Sequence, residues 1–236
     1  MKKKLADSMA KILIKLIQLT IGILPLEDGL RFLFDLDNRL YLFQEKTALN
    51  YGHGLHPKYR LTGYHQFFIH NIRPGEKILD IGCGQGYVAY QIAKNVSRVK
   101  VTGIDLEASN IRLAKKLYRH PRLNFVRGDV LKKLPRKKYD VIILSNVLEH
   151  FKNRVGFLRK IVRQLKPDRL LIRVPCFERD WRVALKKELL IDYRLDKNHF
   201  TEYTQEQFFQ ELGRAGLAAV KTQIRWGEIW SITKPI

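Results

Sequence analysis

Cysteine is scarce: Cys83 and Cys176 are the only two in 236 residues. Two cysteines make neither a disulfide framework nor a zinc pattern, so a reducing, cytoplasmic setting is expected. Long apolar runs are missing too. The stretch Ile12–Leu24 covers about 13 positions and contains Lys15, whereas a spanning helix needs roughly 20 apolar residues. The Met-Lys-Lys-Lys start has the look of a secretory leader, but Lys15 interrupts its apolar core and no A-x-A site follows. Acid is short relative to base, with 23 Asp+Glu against 44 Lys+Arg and a net charge of +21. Thermophily raises both signs together. A one-sided excess points instead to an anionic partner: nucleic acid, an acidic membrane face or a phosphorylated substrate.

What is present begins with a stripe. Leu5, Met9, Ile12, Leu16, Leu19 and Ile23 fall at steps of four and three, one apolar helical face. Leu13, Ile17 and Leu24 widen it, and Lys4, Lys11, Lys15 and Gln18 take the opposite face. Two readings stay open: an interfacial helix with its lysines toward anionic headgroups, or a helix packed on its own domain. Pro25 ends the helix, and the apolar and aromatic residues that follow extend a helical segment to residue 50. Residues 51–76 hold several rings and Gly or Pro breaks, which suit a lid. His53 and His56 have no carboxylate or cysteine at ligand spacing, so no metal site is expected.

From Lys77 onward strands alternate with helices, which predicts an α/β doubly wound, mostly parallel sheet. The strands read 77–81, 99–104, 122–127, 139–144 and 168–174, and the helices between them 86–95, 107–119 and 153–166. An insert spans 175–203. Thr204–Gln207 forms a capping box that opens a last helix, and 217–224 with 227–233 read as a closing hairpin. Seven strands and an N-terminal helical extension result.

The centre of the pattern is Asp80-Ile81-Gly82-Cys83-Gly84-Gln85-Gly86, a strand end running through three glycines into a helix. Glycine permits φ > 0 and close ligand approach, and the helix start offers free N–H groups. A dinucleotide fingerprint would be G-x-G-x-x-G; the spacing here is tighter. Asp105 ends the second strand, where an acid can accept both hydroxyls of a ribose. Asp129 ends the third.

The D-I-G-C-G-x-G run resembles the first motif of class I S-adenosylmethionine (SAM)-dependent methyltransferases, and Asp105 matches the second. The resemblance covers roughly residues 75–217. With Ser145–Phe151, Leu158–Pro167 and His199–Thr204 it extends to the small-molecule and lipid-type branch. It implies a Rossmann-like methyltransferase fold and SAM as cofactor. The residues implied to hold it are Asp80, Gly82, Cys83, Gly84, Gly86, Asp105, Leu106, Asp129, Val130, Asn146 and Val147. In the family, Asp129 faces the adenine amino group and Asp80 helps to hold the methionine ammonium. The segment before the first strand closes over SAM, here Tyr64 and His65 with Tyr59 behind them.

Methyl transfer needs alignment above all, and a hydroxyl acceptor also needs a base. His150 is the candidate base, since it follows the fourth strand by one turn and has a near-neutral intrinsic pKa. Tyr64 or Tyr203 would orient it, and Glu149 reads as an acid that fixes the loop. Within the insert and its flanks, Arg173, Arg179, Trp181, Arg182, Lys186, Lys187, Tyr193 and Arg194 read as a lid for an anionic or lipid-linked acceptor. Two partner classes remain: an anionic membrane surface, peripheral on the inner face, with a lipid, quinone or glycan hydroxyl as acceptor; or RNA, favoured by the basic segment Arg112–Lys138. RNA enzymes of the N-P-P-Y/F or paired-cysteine types are not matched, so Cys176 reads as a small buried residue. A non-catalytic SAM-binding subunit is the third reading. Nothing in the sequence signals an oligomer.

Overall fold

The computed structural model describes residues 2–236. By internal contacts the chain forms two units. One holds the residues up to Pro57 together with Trp181–Tyr193; the other holds Lys58–Asp180 and Arg194–Ile236.

The first unit is helical. Helix α1 runs Lys2–Ile23 and α2 runs Leu26–Tyr51, with Pro25 as the N-cap of α2. Proline suits that place because a first-turn N–H lacks a helical partner anyway. The apolar stripe of α1 is open to solvent: Leu5, Met9, Ile12, Leu16 and Leu19 are all 56–68% exposed. The stripe is therefore not packed as a core face. Among the described residues, no helix is long and apolar enough to cross a membrane. Part of the insert joins this unit as helix α8, Trp181–Glu188. Lys186 reaches Asp37 Oδ2 at 3.0 Å and Asn38 Oδ1 at 2.7 Å, and lies over the Phe34 ring. His56 sits 3.4 Å from Glu45 Oε2.

The second unit begins with α3, Lys58–Thr62, and α4, Tyr64–His70. Then come β1 Lys77–Ile81, α5 Tyr87–Asn95, β2 Lys100–Asp105, α6 Ala108–Leu117, β3 Leu123–Arg127, β4 Val141–Ser145, α7 Arg154–Leu165 and β5 Arg169–Pro175. Helix α9, Gln205–Arg214, and the hairpin β6 Leu217–Arg225 with β7 Glu228–Pro235 close the chain. The seven strands lie in the order β3-β2-β1-β4-β5-β7-β6. Strands β1 to β5 pair in parallel, and β7 runs antiparallel to both its neighbours.

Strand period divides the core into two faces. Leu79, Ile81, Ile142 and Leu144 pack with Phe157, Ile161 and Phe208 of α7 and α9. Ile78, Val141 and Ile143 pack with Val88, Ala89 and Ile92 of α5 and with Phe67 and Phe68 of α4. Strand β5 is buried along its whole length, as expected for a strand covered on both faces.

Two local expectations change. β4 starts at Val141 rather than at residue 139 because Asp140 serves as a junction: its carboxylate accepts the Lys77 N–H at 2.7 Å and its carbonyl accepts the Asp168 N–H. The capping box is half made. Thr204 Oγ1 accepts the Gln207 N–H at 3.1 Å, while the Gln207 side chain turns to Thr201 and Glu211.

Candidate active site

Parallel sheets bind ligands beyond the carboxyl ends of their strands, where the strand order reverses. Here that point lies between β1 and β4. The loop after β1 is built from three glycines in the left-handed region: Gly82 (φ 66°), Gly84 (φ 52°) and Gly86 (φ 86°). They do different work. A Cβ on Gly82 would stand 2.6 Å from Val147 Cγ2, and one on Gly86 would stand 2.4 Å from Phe125 Cζ. Those two permit close packing. A Cβ on Gly84 meets nothing within 4 Å, so this bare backbone faces free space.

Asp105 holds that loop. Its Oδ2 accepts the Gly84 N–H at 2.8 Å; its Oδ1 accepts the Glu107 N–H at 2.9 Å and Asn110 Nδ2 at 3.1 Å. A carboxylate has about four lone-pair sites. Capture of both ribose hydroxyls therefore requires Asn110 to give way. Asp80 alternates onto the α5 side of the sheet and accepts the Ala89 N–H. Its Oδ2 is buried with no partner. Burial first, and the Asp105 charge second, push its pKa up to about 8. An orphaned acidic oxygen at the end of the strand that runs into the open glycine loop fits a ligand that carries an ammonium group, as SAM does.

Around the rim, Leu106 is 55% exposed next to Asp105, a free apolar surface for a planar base. Asp129 caps its own turn, accepting the N–H groups of Leu131 and Lys132 at Oδ1. It lines a cavity of about 670 Å³ with Ile104, Arg127, Lys132 and Arg136. Val130 and Val147 are core residues. Cys83 is half-buried, its thiol pushed up by burial and by the Asp80 and Asp105 charges. Asn146 takes φ 55° and donates from Nδ2 to Glu228. The segment expected to act as a lid packs at the start of α5: the Tyr59 and Tyr87 rings stack at 4.7 Å, and His65 meets Tyr87 edge-on at 5.4 Å.

The loop after β4 departs from expectation. Tyr64 is buried beneath the Arg173 guanidinium, and burial raises its phenol far above the ordinary value. The ring is packed beside Tyr59 at the start of α4. Tyr203 donates to Glu211 Oε2 at 3.0 Å, away from His150. The ring that meets His150 is His199, at 4.7 Å and 79°. The sequence assigned His199 no role. Glu149 does not fix the loop with its carboxylate: both oxygens are buried without a partner, and burial pushes the group up to about 8. The loop is held by backbone instead, the Phe200 N–H donating to the Glu149 carbonyl at 2.7 Å. Donor atoms of Glu149, His150 and His199 lie within 4.8 Å of one another.

Several cations expected to line an acceptor lid are engaged by the protein. Arg173 Nε lies 3.2 Å from both Asn146 Oδ1 and Glu228 Oε2. Arg179 pairs with Glu202, and Arg194 Nη1 donates to the His199 carbonyl at 3.0 Å. Cys176 is buried, as expected.

Residues 72–229 match the family described as a methyltransferase domain. A malonyl-[acyl-carrier protein] O-methyltransferase of Priestia megaterium is 33% identical over 90 residues, covering 38% of this chain and 33% of the relative. A phthiotriol/phenolphthiotriol dimycocerosates methyltransferase of Mycobacterium tuberculosis is 36% identical over 98 residues, covering 39% and 35%. The matched segment thus spans about a third of the length of these curated relatives. The crystal structure of the magnesium protoporphyrin IX methyltransferase ChlM from Synechocystis, with bound SAH, superposes at a TM-score of 0.59 with 17% identity, covering 74% of this chain and 81% of that one. The match over most of the second unit, and a glycine loop shaped for the cofactor, make this chain a member of the SAM-dependent methyltransferase domain family.

Proposed function

We propose that the chain transfers a methyl group from SAM to a hydroxyl of a lipid, quinone or lipid-linked glycan at an anionic membrane surface. SAM supplies the electrophile, a methyl group on a sulfonium. The chain supplies alignment: Asp105 and Leu106 for the nucleoside, the Gly82–Gly86 backbone and Asp80 for the methionine part. The acceptor proton is assigned to the cluster around His150. Burial, then the adjoining His199 ring, lower the His150 pKa, which keeps the imidazole neutral and able to accept. A positioned base contributes about 10²–10⁴-fold.

The observation that carries the surface reading is the open apolar stripe of α1, with lysines on its other face. An unburied stripe of this kind suits the acyl boundary of a bilayer, and the +21 charge suits anionic headgroups. The relatives named for malonyl-[acyl-carrier protein] and phthiotriol dimycocerosates lend support from acyl-type acceptors. The competing acceptor is RNA, supported by the basic cavity rim at Arg127, Lys132, Lys133 and Arg136.

The test is a double variant, Leu16→Glu with Leu19→Glu. Both side chains are more than half exposed, so folding is unaffected. Each inserted leucine is worth about 1.5–3 kcal/mol, so binding to phosphatidylglycerol-containing vesicles falls at least about a hundredfold. Labelled methyl groups from SAM enter the organic phase of a cell extract with the natural chain and not with the variant. Ribonuclease-sensitive label, or unchanged vesicle binding, overturns the surface reading.

A further inference from the structure

We infer that Glu149, His150 and His199 form a binding site for one divalent first-row transition ion, with the ligand set of a catalytic zinc. Three observations lead there. Each residue offers a donor atom, and the three atoms lie within 4.8 Å of one another. The Glu149 side chain is fully buried, and no other residue hydrogen-bonds either carboxylate oxygen; its own backbone N–H is near, and Arg173 attracts it through space only. A buried carboxylate left without hydrogen bonds is costly, and a cation is the partner that uses both its charge and its lone pairs.

The third observation is the support behind His199. Its Nδ1 lies 3.2 Å from Glu202 Oε1. Glu202 is itself fixed by Arg179 and by the Leu195 N–H. A carboxylate oxygen facing Nδ1 takes the ring proton's hydrogen bond there and leaves Nε2 as the lone-pair atom. Metal-bound histidines are oriented by a carboxylate in this way.

Donor chemistry selects the ion. Calcium and magnesium take oxygen ligands. Two imidazoles and one carboxylate suit zinc and its first-row neighbours, and three protein ligands leave a position open. That open position is the one place where the inference rests on the methyl-transfer reading: an acceptor hydroxyl bound there loses its proton more readily, and because His150 then gives its lone pair to the ion, the proton passes to solvent in place of the metal-free route through that ring.

The experiment titrates chelator-treated full-length protein with Co²⁺, reading visible absorption and counting bound ions by equilibrium dialysis. The expected result is one ion per chain with d–d bands. Glu149→Gln and His199→Ala each weaken binding by at least about a hundredfold, and Glu202→Gln by about 10–100-fold. His70→Ala, at the end of α4, leaves binding unchanged. SAH binding by calorimetry reports whether each variant is folded; if Glu149→Gln is not, His199→Ala decides alone. The inference is overturned by the absence of a saturable site, or by a folded His199→Ala protein that binds Co²⁺ like the natural chain. Cobalt binding without SAH binding would sink the methyl-transfer reading and leave the metal site standing; the reverse result would do the opposite.

Discussion

The guanidinium carbon of Arg173 lies 3.8 Å from the centre of the Tyr64 ring. One side chain in the middle of β5 thereby covers the start of α4 while its Nε reaches Asn146 and Glu228. Lid segment, β4 turn and β7 meet at one cation. The planar guanidinium can stack and donate at once; an ammonium cannot.

Arg173→Lys should therefore behave as a disruptive change, with a loss of about 2 kcal/mol from the desolvated cation–π contact. Arg173→Ala, which also strips Glu228 of its cationic partner, should lose about 3 kcal/mol or more. Urea denaturation of the two variants checks this. A lysine variant as stable as the natural chain would show that the stacked plane contributes nothing.

Gly84 and Gly86 should separate cofactor binding from folding. Alanine at Gly84 meets no protein atom, so only the left-handed backbone is penalised, by about 1–2 kcal/mol. SAH affinity should fall at least tenfold, because the new methyl fills the ligand's space. Alanine at Gly86 collides with Phe125 and should add an overpacking cost of about 1–3 kcal/mol. Calorimetric SAH binding and denaturant melts on both proteins distinguish the two. Undiminished SAH affinity in Gly84→Ala would mean that the cofactor does not lie on that backbone.

The glycine loop was legible because its parts are adjacent in sequence: strand, turn and helix start fall within about ten residues. Asp105 was legible because it closes β2, a strand that periodicity marks; Asp129, expected at the end of β3, instead lies two residues past it, capping a turn. The partner of His150 was not legible. His199 arrives 49 residues later, near the end of the insert, and no spacing rule links the two. Arg173 was misread as a lid cation although a usable signal existed. It interrupts the apolar run Leu170–Val174, and a cation inside a buried strand must be paired. Lys186 was misread for the opposite reason: its partners, Asp37 and Asn38, lie almost 150 residues earlier.

Tyr203→Phe tests the orienting role once expected of that phenol. Its hydroxyl serves Glu211, which Arg154 also binds at 2.6 Å. The variant should lose about 1 kcal/mol of stability and keep its turnover. A fall in turnover at unchanged stability would return Tyr203 to the active site.

Acid sensitivity should reside partly in Glu76. Burial works to raise its pKa, but the hydrogen bonds from Arg169 and Arg73 prevail and lower it. The Arg169 fork donates to both oxygens, at 2.8 and 2.7 Å. A carboxylate whose pKa is lower folded than unfolded stabilises the fold above its unfolded value and loses that contribution as pH falls through the folded one. Glu76→Gln should cost about 3 kcal/mol at pH 7, and the gap to the natural chain should close as pH drops below about 4. Thermal melts of both proteins from pH 7 to pH 3 measure it; a constant gap would refute the linkage.

The helical unit is assembled from two stretches of chain separated by about 130 residues, from Tyr51 to Trp181. At ribosomal speeds of about 5–20 residues per second, α1 and α2 wait roughly 7–26 s before Lys186 is made. During that interval the open stripe of α1 belongs to a nascent chain whose sheet is still incomplete. A bilayer, or a chaperone, can engage it before the enzyme exists. On the membrane-surface proposal, delivery is then an event of synthesis, visible as co-sedimentation of ribosome-bound chains with vesicles when translation is stopped before residue 180.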